Sequence, residues 1–325
     1  MLRTRSIVVL AILALLISTT ASAQSPAASP ATVAIADVWT ATGGPDGMTF
    51  PNDMAIDPDG RLWVADTGND RFTILNPDGT FAETWGSHGS GDGQFRLRRA
   101  NGDGYGNIEF APDGSFYVLD VGNRRVQHFG PDRTFLGSWG RSGHEPGQYT
   151  DPIGLQVAAD GTVMVLECGR DVVEFYDPAG TVLGSIDVHP DGDGGFNCAN
   201  SMVADPEGNL YVDSCCESGN VVEKFSPDGT LVWTANTTAD GLPFRDQPAG
   251  IAVSDDGHVY VSVARTIQAF DGDGKNLAGW DGTEDGGAPL VFPYDLLIEG
   301  DTLYVADHAA NVVRAFELVS SADPG

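Results

Sequence analysis

Asp53, Asn107, Asn200 and Asp295 each stand at the start of an apolar segment of this 325-residue chain. Carboxylate and amide oxygens are the ligands that a hard cation such as Ca²⁺ takes, with water completing the shell. Brought together, these four could hold Ca²⁺. The same side chains could instead cap strand starts or contact water. Asn52 and Tyr294 stand beside two of them and would face a ligand at the same place. Arg98 and Arg99 lie in a short basic stretch with Arg96, Asn101, Asp103 and Tyr105. Arg binds carboxylates bidentately, so Arg98 and Arg99 read as a clamp for a small anionic ligand. Neutralising neighbouring acids is their plainer role.

Other chemistries find less support. The six histidines (His88, His128, His144, His189, His258 and His308) are scattered, as solvated surface groups would be. The Asp-Gly-Asp-Gly runs at Asp191 and Asp271 lack the Gly and Glu that a calcium-binding helix–loop–helix needs; from Asp271 those positions hold Asn276 and Gly282. No phosphate-binding glycine loop or nucleophile elbow stands between a strand and a helix.

Four cysteines, Cys168, Cys198, Cys215 and Cys216, suggest disulfides if the chain is exported. Joining Cys215 to Cys216 is strained, because adjacent Cα atoms sit about 3.8 Å apart. Two longer bridges are therefore expected, tying the third and fourth repeats together.

The elements that must position these residues form a repeat. Gly60, Gly114, Gly161, Gly208 and Gly257 recur at turns, with Gly300-Asp301 as a sixth, degenerate copy, at intervals of 43 to 54 residues. Each turn leads into an apolar pair: Trp63-Val64, Tyr117-Val118, Met164-Val165, Tyr211-Val212, Tyr260-Val261 and Tyr304-Val305. Each copy splits into four short strands joined by tight turns that suit positive φ. Such a meander has two apolar faces and buries them only by stacking on its neighbours. The last copy lacks a fourth strand. Ala36-Asp37-Val38-Trp39-Thr40 resembles the fourth-strand segments Ala82-Glu83-Thr84-Trp85-Gly86 and Leu136-Gly137-Ser138-Trp139-Gly140, so the N-terminal strand should complete it. The expected fold is all-β: a six-bladed β-propeller closed by an N-terminal strand. Recurring acids at the ends of second strands (Asp66, Asp120, Glu167, Asp307, with Asp213 one position early) should bind amides of the following turn and pair with Arg71 or Arg125.

Composition agrees. The net charge of −29 excludes a nucleic-acid binder, and 41% hydrophobic residues exclude an acidic disordered chain. Forty-two glycines disfavour a helical bundle. Arg3 and Arg5, the apolar run Ile7 to Ile17 and Ala21-Ser22-Ala23 read as a secretory signal cut after Ala23. That gives a signal at 1–23, a disordered lead-in at 24–34, one propeller at 35–319 and a tail at 320–325. Export to the periplasm or the exterior follows, with no membrane span and a monomer.

Pro51 to Gly86 and Ile108 to Gly140 resemble NHL repeats. The resemblance rests on the Pro-start strand, the Asp-Gly turn, the Val-Ala-Asp strand end and Asn69/Arg71 or Asn123/Arg125. Later copies depart from it, with Glu167 and Val263 at the strand-end position. The amidating lyases that share this repeat hold zinc through histidines after the repeat Pro, where this chain has Asn52, Ile153, Ala249 and Tyr294, so that chemistry is disfavoured. The resemblance implies the fold and leaves two functions open. One is a secreted binding module for a peptide, saccharide or small anionic ligand at the channel mouth. The other is a Ca²⁺-type lyase or lactone hydrolase at the same mouth.

Overall fold

The computed structural model describes residues 33–99, 106–187, 201–214, 220–283 and 286–320. Six four-stranded antiparallel sheets make up nearly all of it. Their first strands are Pro51–Ile56, Asn107–Phe110, Pro152–Val157, Met202–Ala204, Pro248–Val253 and Pro293–Glu299. Each of these packs on the next, and the last packs on the first. They therefore line a central channel, and the expected six-bladed propeller is what the chain forms. No helix among the described residues is long and apolar enough to cross a membrane.

The strand sequences explain the stacking. Second strands such as Leu62–Asp66, Phe116–Asp120 and Val163–Glu167 are buried at every position. A strand covered on both faces reads as an apolar run rather than an alternation. One apolar cluster fills each interface between neighbouring blades, six in all. Between blades one and two, Trp63 meets Phe72, Trp85, Phe110 and Phe116 at centroid distances of 5.3–6.2 Å. Offset and edge contacts of this kind add about 0.5–1.5 kcal/mol beyond area burial. The first turn is held by Asp57, whose Oδ1 accepts from the amides of Asp59 and Arg61, while Gly60 takes φ +78.

The ring closes through Val33–Ala41, which pairs antiparallel with Val312–Ser320 as the outer strand of blade six. Buried Arg314 donates from Nη2 to Asp37 Oδ2 at 2.8 Å across that closure. Trp39 Nε1 donates to the Pro77 carbonyl of blade one at 3.2 Å.

The strand-end acids do pair with Arg71 and Arg125, at 2.8 Å from Asp66 and Asp120. Their amide partners differ from expectation. They accept from the loop that leads into the blade, not from the turn that follows. Asp66 takes the Thr49 amide, Asp120 the Arg96 amide, Glu167 those of Thr150 and Asp151, Asp213 that of Ser201, and Asp307 those of Val291 and Phe292. The turn residue Asn69 or Asn123 adds a side-chain amide instead. Each acid thus pins the loop above its own inner strand, because that loop folds back over the strand end.

Candidate functional site

Four inner strands begin with Pro, and each slips register directly after it. The shifts fall between Pro51 and Met54, Pro152 and Gly154, Pro248 and Ile251, and Pro293 and Asp295. A bulge places an extra residue on one strand and re-aims its side chains. Here the extra residues are Asn52 and Asp53, Ile153, Ala249 and Gly250, and Tyr294. Pro suits the site because it lacks an N–H for the ladder. All of these but Gly250 line a channel cavity of about 190 Å³.

Three acids line that cavity: Asp53, Glu109 and Asp295. Asp53 reaches from blade one to blade two, where Oδ1 accepts from Asn107 Nδ2 at 2.9 Å and Oδ2 from the Ile108 amide at 2.7 Å. Glu109 reaches on to blade three, accepting from Gln156 Nε2 at 2.5 Å. Removal from bulk water pushes the Asp53 carboxyl up to about 7, against the pull of Asn107 and Ile108. Burial also raises Asp295 well above the usual carboxylate range, and the Asp53 and Glu109 charges add to the effect. Glu109 is raised for the same two reasons, burial first and Asp53 second. All three residues remain partly exposed within the channel.

The cavity is rich in acceptors. Asn52 is 3% exposed and its Oδ1 has no hydrogen-bond partner; Asn107 Oδ1 has none either, while its amide nitrogen donates to Asp53. A buried carbonyl oxygen left unpaired costs about 1–3 kcal/mol, so such a site calls for a cation or a donor-rich ligand. Among the described residues no three Asp, Glu, His or Cys side chains gather to close around one ion. A cation here would therefore be held by at most two carboxylates, with amide oxygens and water completing its shell. Asp53, Asp295 and Asn107 fit that role, and the mixed oxygen set suits Ca²⁺.

Of the residues singled out in the sequence, Asn52, Asp53, Asn107, Tyr294 and Asp295 come together around the cavity. Asn200 lies outside the described residues, as do Asn101, Asp103, Tyr105, Cys198, Cys215 and Cys216. Cys168 is buried where the second strand of blade three ends. The two arginines separate. Arg99 pairs with Asp151 at 2.8 Å, while the Arg98 guanidinium lies 5.2 Å from the centre of the Phe50 ring.

Four residues at or beside the mouth were not picked out as site residues. Glu109 and Gln156 sit two and four residues past the strand starts, and only the stacking of blade two on blade three shows that they meet. His308, grouped above with solvated histidines, stacks on Phe50 with centroids 4.9 Å apart and an interplanar angle of 20°. Phe50 holds φ +55, a conformation that costs a bulky residue about 1–3 kcal/mol. Phe-Pro recurs at Phe292-Pro293, and that repeated aromatic was the available signal.

Residues 48–75 match the sequence model of the NHL repeat. The match covers one blade. No curated protein sequence matches the chain. Among solved structures, a gluconolactonase from Xanthomonas campestris superposes with a TM-score of 0.62 at 16% identity, over 88% of this chain and 90% of its own. A catalytically inactive virginiamycin B lyase from Staphylococcus aureus, bound to quinupristin, gives 0.58 at 10% identity, over 90% of each chain. A protein of unknown function from Bacteroides thetaiotaomicron gives 0.63 at 14% identity, over 89% of this chain and 76% of its own. At these identities the likeness is one of fold.

Proposed function

We propose that this chain is an exported hydrolase of a small cyclic ester, with a divalent cation of the Ca²⁺ type in its channel. The observation that carries the reading is the acceptor-rich cavity: three deep-set acids beside the unpartnered Asn52 and Asn107 oxygens. Asp53, Asn107 and Asp295 would hold the cation. When bound, the cation supplies Lewis-acid polarisation of a substrate carbonyl. The cavity of about 190 Å³ suits a small substrate better than a peptide. A fold neighbour named as a gluconolactonase makes lactones the first substrates to try, by analogy of fold alone. Export rests on the residues up to Ala23, and the bridging of the cysteines on the same expectation. Lactone hydrolysis followed in weak buffer tests the reading. Calcium-dependent turnover that chelation abolishes supports it, and no turnover of δ- or γ-lactones with calcium counts against it.

A second reading has its own observation. Blade five carries Val263 where other blades carry the acid that pins the incoming loop, and a cleft of about 610 Å³ opens there beside Gln268, Trp280 and Arg245. A cleft of that size suits a saccharide or peptide side chain, as a binding module would need. Saccharide binding that survives Asp295→Asn would favour it.

A further inference from the structure

We propose that Val291 and Phe292 form an apolar seat beside the channel mouth, and that the cyclic ester taken there carries an alkyl or aryl arm that rests on it. This rests on the hydrolytic reading of the channel and names its substrate class.

The seat arises where blade six receives its incoming loop. The Val291 and Phe292 amides both donate to the Asp307 carboxylate at 2.8 Å, and the Phe292 carbonyl accepts from the His308 amide at 3.0 Å. Those bonds fix the backbone of the pair, yet Val291 is 40% and Phe292 39% exposed. A surface loop gains nothing from holding two large apolar side chains rigidly in water. A binding wall does gain, because a preset wall loses little freedom when a ligand settles on it.

The seat is continuous with the channel. The Phe292 ring lies 5.8 Å from that of Tyr294, and Tyr294 lines the cavity beside Asp295. Tyr294 is buried and Phe292 is exposed, so the two rings step from the cavity to solvent. Phe50 extends the apolar sector into blade one. Its ring stacks on His308, which in turn meets Phe292 at 6.3 Å.

The same loop position is polar across the ring. Blade three lies opposite blade six. Its strand-end acid Glu167 holds the amides of Thr150 and Asp151, as Asp307 holds those of Val291 and Phe292. Asp151 pairs with Arg99 at 2.8 Å. One sector of the mouth is therefore apolar and the facing one charged. A sugar lactone turned toward blade six would lay hydroxyls on side chains that return no hydrogen bond. An apolar arm loses nothing there and leaves water. A long arm must also leave a cavity of about 190 Å³, and the step from Tyr294 to Phe292 is an apolar way out.

The test uses the full chain with calcium. Wild-type kcat/KM should rise along δ-valerolactone, δ-hexalactone, δ-octalactone and δ-decalactone, by roughly 10-fold or more from first to last, with glucono-δ-lactone below δ-decalactone. This series requires no variant to fold. Phe292→Ser should lower the preference for δ-decalactone over δ-valerolactone roughly 10-fold, and Phe292→Leu should keep most of it. A flat series in an active wild type, or glucono-δ-lactone preferred to δ-decalactone, overturns the seat and leaves the hydrolytic reading standing. An unchanged preference in Phe292→Ser does the same. A wild type that hydrolyses none of these lactones with calcium overturns both.

Discussion

Asp53 of blade one accepts a hydrogen bond from the Asn107 side chain of blade two at 2.9 Å, so one carboxylate both staples an interface and faces the channel. Asp295 faces the same channel from blade six, and the Met54 and Leu296 amides pull its carboxyl down against burial. The strand-capping role and the cation-ligand role considered for these residues are compatible. Two amide bonds leave a carboxylate with acceptor sites to spare.

Stability of the cation-stripped protein should fall as pH rises from about 4 to 8. Asp53 titrates near 7 in the folded protein against 3.8 unfolded, and Asp295 and Glu109 move in the same direction. A group with a raised folded value stabilises fully below its unfolded value, and that stability is lost as pH passes the folded one. Partial exposure of the three acids limits the loss to on the order of 2–4 kcal/mol. Urea unfolding at several pH values in chelator checks this; a rise in stability over that window would contradict it.

Asp295→Asn should leave the stripped protein as stable as wild type, or more so, at pH 8. It removes the carboxyl whose charged form repels Asp53 and Glu109. Paired thermal melts without calcium read this directly.

Asp37→Ala should destabilise by about 2–4 kcal/mol, because Arg314 is 3% exposed and loses its carboxylate partner. Adding Arg314→Met should restore part of the loss. Urea unfolding of the two variants measures it, and a loss under about 0.5 kcal/mol would mean that the closure does not depend on this pair.

Trp63→Ala should cost about 3–5 kcal/mol, since Trp63 is 2% exposed at the centre of the aromatic cluster and its Nε1 donates to Asp57 at 2.9 Å. The same unfolding measurement applies.

The fold was legible because each of its devices is local. Turn glycines, apolar second strands and the Trp39 segment that completes blade six each sit in a short window of sequence. Asn52, Asp53, Asn107, Tyr294 and Asp295 were legible as departures from the repeat at strand starts. Their meeting with Glu109 was not, because it depends on bulges after Pro51 and Pro293 and on closure of the ring. The loop-pinning contacts were hidden in a similar way. A polar residue recurs inside the third strands, as Thr73, Gln127, Glu174, Gln268 and Arg314, and each is buried. Gln127, Glu174, Gln268 and Arg314 bond the backbone of a loop more than 25 residues earlier in the chain. That position was readable as a repeated polar residue in an apolar strand, but its partners lie too far away in sequence to be inferred.

Calcium titration into the chelator-stripped protein by calorimetry, at pH 8, above the value of about 7 to which Asp53 is pushed, tests the central claim most directly. The account predicts saturable binding with one equivalent of Ca²⁺, a higher Tm, and loss of both in Asp295→Asn. No heat and no Tm shift up to about 10 mM Ca²⁺, beyond the weak end of extracellular calcium sites, would contradict it.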